Sequence, residues 1–93
     1  MPSAASKATV RALLVRMVDA RKRAGLSQER LAELSGVNLA VISRAENLKR
    51  IPGLASLLDM ASALNLDASA LLADAMRETA EDSSSGTGGE DSA

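Results

Sequence analysis

Between Gln28 and Asn47 the chain fits two short helices around a glycine-centred turn, and the spacing of three residues restricts how those helices pack. Ala32 stands four residues before Gly36, and Ile42 follows Gly36 by six. Helices joined by so short a turn cross at a wide angle, with their backbones close together. Ala32 is small enough for that approach, and Gly36 tolerates the positive φ of the turn. Leu31, Val37, Ile42 and Ala45 fall on the inward positions that lock the pair. Any one of these coincidences is common, but the whole set in phase is not. It predicts a crossed pair whose second helix starts near Asn38.

The flanking sequence supplies starts and stops of the same kind. Val10, Leu13, Leu14, Met17 and Val18 recur at helical spacing, with Arg11, Arg16, Asp19 and Lys22 on the other side. This predicts a first helix over Ala8–Ala24, stopped by Gly25. Ser27 caps the second helix and Glu29 suits its first turn, while Arg30 leaves the capping box incomplete. Gly36 closes that helix after about eight residues, and Asn38 caps a third over Leu39–Asn47. Ile51-Pro52-Gly53 is a breaker. Leu54, Leu57, Leu58, Ala61 and Leu64 then make the stripe of a fourth helix, after which Asn65 can turn left-handed. Asp67 caps a fifth helix carrying Leu71, Leu72, Ala75 and Met76; Met60 and Met76 are expected to be packed. From Ala80 the chain is Ser, Gly, Glu and Asp without an apolar period, which predicts a disordered acidic tail over 80–93 behind one domain over 8–79. No internal repeat and no strand is apparent. The expected class is all-α, a five-helix bundle.

What is missing narrows the chemistry. The chain has no Cys and no His, so Cys-based metal sites and disulfides are excluded and the commonest general base is absent. No nucleophile–base set stands out, and neither an enzyme nor a cofactor is expected. There is no Phe, Tyr or Trp either. The core must be aliphatic, and the base stacking that holds single-stranded nucleic acid, worth about 1–3 kcal/mol per base, is unavailable. Duplex DNA, read by polar and aliphatic side chains, remains. The apolar stretches are too short and too charged to span a membrane, and Met1–Lys7 lacks the apolar run of a secretory signal. A soluble cytoplasmic protein is expected. The net charge of −1 conceals an asymmetry. Residues 1–50 carry ten Lys and Arg against four acids, a balance of +6, and residues 51–93 carry only Arg77 against eight acids, a balance of −7.

The stretches Gly25–Glu33, Ser35–Asn38, Ile42–Glu46 and Pro52–Leu54, with the Leu57-Leu58 and Leu71-Leu72 pairs, resemble the Xre/Cro family of phage and bacterial repressors over roughly residues 10–73. The resemblance implies a lambda-repressor-like five-helix fold containing a helix-turn-helix. It further implies a third helix lying in the major groove, and a homodimer reading half-sites one helical turn apart. Carried over position by position, Gln28 becomes a phosphate contact at the start of the second helix. Asn38, Leu39, Ala40, Ser43 and Arg44 become the reading face, and Asn47, Lys49 and Arg50 become contacts in the following loop. Arg21 and Glu46 become a structural ion pair rather than a DNA contact.

Arg44 is the residue best suited to base recognition, because a guanidinium bonds guanine at two points. Its alternatives are a phosphate contact and a solvated side chain. Leu39 and Ala40 depart from the polar residues usual in the family. They either pack on thymine methyl groups or form a patch for a protein partner, while Val41 belongs to the core. Lys22, Arg23, Lys49 and Arg50 either form a solvated face or meet phosphate. Leu48 stands where the family usually has Gly, so the exit of the third helix should differ. The tail acids Glu78, Glu81, Asp82, Glu90 and Asp91 either solubilise the chain or compete with phosphate for its basic half. A repressor dimerising through its fourth and fifth helices is the leading expectation. An antitoxin with a toxin partner, a restriction controller, and an interaction module that has lost DNA reading share the same fold.

Overall fold

Side-chain caps set four of the five helix starts in the computed structural model, which describes the backbone of residues 2–92 and the side chains of residues 2–81. The elements are α1 (Ala4–Arg23), α2 (Gln28–Ser35), α3 (Leu39–Glu46), α4 (Leu54–Ala63) and α5 (Ala68–Ser92), with no strand among the described residues. The first helix begins four residues before the expected Ala8, because Ser3 Oγ accepts the Ser6 amide at 3.0 Å. These first turns are exposed and alanine-rich, so they carry helix propensity but no apolar period to betray them. Ser27 Oγ caps α2 through the Arg30 amide at 3.0 Å, and Asn38 Oδ1 caps α3 through the Ala40 amide at 2.8 Å. Asp67 Oδ1 caps α5, accepting from the amide of Ser69 at 3.0 Å and from its hydroxyl at 2.6 Å. The Ser69 hydroxyl, followed by the amides of Ala70 and Ser69, holds the Asp67 carboxyl below its ordinary range. The helix runs on past the expected boundary at 79, to Ser92. The remainder of the expected tail lies outside the residues whose side chains are described.

Helix ends are closed by one recurring device. Gly25, Leu48 and Asn65 each take positive φ, at 73°, 58° and 57°. Behind each, two amides reach back into the last turn, as Leu48 N does to the Ala45 carbonyl at 3.0 Å and Lys49 N to the Arg44 carbonyl at 2.8 Å. Leu48 therefore corrects the expectation of a different exit from α3. It makes the left-handed turn that a glycine would make, at a steric cost of about 1–2 kcal/mol.

Met17, Leu31, Val37, Ile42, Met60 and Ala61 form the core, drawn from α1, α2, the turn, α3 and α4. Ile42 and Ala45 are wholly buried, and Ala32 packs against the core where α2 and α3 cross. Burying a side chain such as Ile42 contributes about 1.5–3 kcal/mol. The fifth helix packs most extensively on α1, with Ala75 wholly buried. Its inward residues are thus Ala68, Leu71 and Ala75, and the next stripe round the helix faces out. Met76 lies on that outer stripe at 56 % exposure, which overturns the expectation that it packs; Met60 is buried. Arg16 on α1 meets Glu78 on α5 at 2.6 Å. Both side chains are partly solvated, so this bridge contributes at most about 1 kcal/mol.

One charged cluster fixes α3 against its neighbours. Arg21 Nε and Nη2 donate to the two carboxylate oxygens of Glu46 at 2.6 and 2.8 Å, and Arg21 Nη1 donates to the Leu26 carbonyl at 2.6 Å. Gln28 Nε2 adds a third donor to Glu46 at 2.9 Å. The helices α1, α2 and α3 are therefore tied through one carboxylate whose side chain, like that of Arg21, is 10 % exposed. Burial pushes the Glu46 carboxyl up. The hydrogen bonds from Arg21 and Gln28 and the charges of Arg21 and Lys22 together outweigh it, and the group sits below its ordinary 4.5. The Arg21 guanidinium is raised, mainly by its hydrogen bond to Glu46.

A depressed carboxyl stabilises the fold above its unfolded value and loses that contribution as pH falls through the folded value. Stability should therefore decline on acidification below about 4.5 through this group. Glu46→Gln leaves the Arg21 charge unpaired and should cost about 3 kcal/mol at neutral pH. Thermal melts from neutral pH into that acid window check both: the variant melts lower at neutral pH and falls less steeply in acid than the parent. Equal melting temperatures at neutral pH contradict the brace.

Candidate nucleic-acid interface

The third helix is eight residues long, and its 3.6-residue period divides them cleanly. Ile42 and Ala45 are buried and Val41 is half-buried against the core. Leu39, Ala40 and Arg44 are exposed on the opposite side, with Ser43 half-buried beside them and Asn47 exposed at the cap. The helix thus presents two rows to solvent, Leu39–Ser43–Asn47 and Ala40–Arg44, each at a four-residue interval. Lys49 and Arg50 are exposed in the loop that follows.

Several of these side chains are already engaged. Asn38 Oδ1 is committed to the Ala40 amide, and Asn47 Nδ2 donates to the Ser43 carbonyl at 2.9 Å. Gln28 is half-buried at the start of α2, and its amide nitrogen is drawn to Glu46. Arg44, in contrast, enters no ion pair among the described residues. Glu46 is paired with Arg21, whereas Arg44, Lys49 and Arg50 are exposed cations on and just after α3.

Lys7 and Arg11 also belong to this region, and the sequence reading passed over them. They stand with Lys49 and Arg50 around a groove of ≈ 450 Å³, floored by Val10, Leu14, Leu48 and Ile51. The basic excess of residues 1–50 carried the signal. It could not be placed because the approach of the start of α1 to the loop after α3 is a tertiary contact with no local signal. Lys22 and Arg23 are exposed at the far end of that helix.

Among the described residues no group of His, Cys, Asp and Glu is arranged to hold a metal ion, and no helix is long and apolar enough to cross a membrane. Searches of curated proteins and of solved structures give no match. A family model described as helix-turn-helix matches residues 18–71, which takes in the last turn of α1, all of α2, α3 and α4, and the start of α5. That match covers more than half of the 93 residues, including the crossed pair and its brace, and the chain belongs to the helix-turn-helix family of DNA-binding transcription regulators.

Proposed function

We propose that the protein is a sequence-specific repressor that lays α3 in the major groove of duplex DNA as a homodimer. The observation that carries this reading is the split of α3 into a wholly buried side, Ile42 and Ala45, and a solvent side ending in an uncommitted arginine, Arg44. A rigid helix about 10–12 Å across suits a major groove about 12 Å wide. Arg44 bonds a guanine edge at two points, and Lys49 and Arg50 meet the flanking phosphates. Gln28 and the N-terminus of α2 approach another phosphate, with Gln28 held in place by Glu46.

One protomer reads too few base pairs to locate a site in a genome, so a second copy is required. Its seat is the apolar surface of α4 and α5. Ile51, Leu54, Leu58 and Leu72 rim a groove of ≈ 310 Å³, and Leu54 is 72 % exposed. A competing reading, a module that binds a protein such as a toxin, draws on the exposed Leu39 and Ala40. Salt separates the two, since phosphate contacts release counterions and apolar protein contacts do not.

Titration of the full chain against duplex DNA across a salt series should show steep weakening. Lys49→Ala or Arg50→Ala should lower affinity for all sequences and reduce the logarithmic slope by about 0.9 each. Arg44→Ala should cost roughly 1–3 kcal/mol on a selected site and relax preference at one position. A flat salt response removes the DNA reading. Sedimentation equilibrium should give a dimer for the parent and a monomer for Leu54→Glu; a strict monomer in both, on DNA as off it, contradicts the proposed seam.

A further inference from the structure

We infer that the front of α3 reads the 5-methyl groups of pyrimidines, with Leu39 and Ala40 as the reading residues and Arg44 supplying an adjoining guanine contact. The inference rests on the DNA-reading role proposed above and names what that face selects. Its starting point is how little hydrogen-bonding capacity the face retains. A carboxamide recognises adenine by using its oxygen and its nitrogen together. Asn38 Oδ1 accepts from the Ala40 amide, and Asn47 Nδ2 donates to the Ser43 carbonyl. Each keeps a second lone pair or a second N–H, but both carboxamides are tied to the backbone of α3, so a two-point contact with adenine competes with a bond that holds the helix end. Ser43 is half-buried, and a hydroxyl bonds donor and acceptor edges alike without discriminating strongly. Arg44 is the side chain of this face that has a two-point donor set with no ion pair among the described residues.

The first turn of α3 is where the helix would meet base edges, and it offers an aliphatic surface. Leu39 is 41 % exposed and Ala40 is exposed beside it. The apolar feature that a major groove presents is the methyl on C5 of thymine, or of a methylated cytosine. The exposed cations on and just after α3, Arg44, Lys49 and Arg50, favour a polyanion over a neutral apolar partner. Leu39 and Arg44 lie five residues apart, about 7.5 Å along the helix, or roughly two base steps. The site read by one protomer should thus contain thymines within about two base pairs of a guanine.

The test uses the full chain and duplexes recovered by selection from a random library. The selected duplex is compared with copies in which single thymines are replaced by deoxyuridine, which removes one methyl and leaves every hydrogen bond in place. Affinity should fall about four-fold per methyl facing Leu39 or Ala40, the equivalent of one buried CH₂, and 5-methylcytosine at the same position should bind better than cytosine. Leu39→Ser, an exposed change whose folding is checked by circular dichroism, should bind the thymine and deoxyuridine duplexes equally at its position. Equal binding of both duplexes by the parent, with Arg44→Ala still weakening binding, overturns methyl reading and leaves the DNA-binding role standing. If selection recovers no preferred duplex, both fall, and a protein partner for the Leu39 surface takes their place.

Discussion

The orientation of α3 depends on the contact between Arg21 and Glu46. An eight-residue helix is too short to persist in water, so its stability comes from what its inner side touches. Apolar burial of Ile42 and Ala45 holds α3 against the core but does not by itself fix its rotation or tilt, because apolar packing is non-directional. The Glu46 carboxylate, gripped from two directions by Arg21 and Gln28, supplies the directional part. Charges buried in this way gain little net stability over apolar residues of the same shape, and their value here lies in holding one helix at one angle. The same grip neutralises the one acid of α3, leaving the outer side without a negative charge.

Building the brace has a consequence for the interface. Gln28, the residue best placed at the start of α2 to meet an anion, is also the third ligand of Glu46. A phosphate contact there would be made by a side chain already fixed in position, so less conformational freedom is lost on binding. The two asparagines flanking α3 are likewise spent on its own backbone, one at each end. The short helix thus holds its polar end residues against its own backbone, and between them its first turn presents Leu39 and Ala40 to solvent.

Much of the fold was legible because glycine and capping residues act locally. Gly25, Gly36, Ser27, Asn38 and Asp67 mark helix ends whatever packs around them, and each stands at a boundary in the structure. What was not legible depended on tertiary placement or on an exposed surface. The first turns of α1 are exposed, so no apolar period announced them, and only the tertiary fold sets Lys7 and Arg11 beside Lys49 and Arg50. Met76 has helical spacing from Leu72 but lies off the seam that Ala75 makes with its surroundings, and sequence period alone does not say which of two adjacent stripes faces in. Leu48 takes a conformation that its side chain disfavours, because the Ala45 and Arg44 carbonyls bind the two amides that only this turn can present. The partner of Gln28 required three helices to be assembled before it could be seen.

The claim on which the functional account stands is that the outer side of α3 enters the major groove with Arg44 against a guanine. Dimethyl sulfate probing of a selected duplex measures this directly, since it reports guanine N7 in the major groove and adenine N3 in the minor groove. The expected result is protection of a guanine N7 by the parent protein, and loss of that protection with Arg44→Ala while neighbouring phosphate contacts persist. Protection confined to adenine N3, or guanine protection unchanged by the substitution, would contradict it.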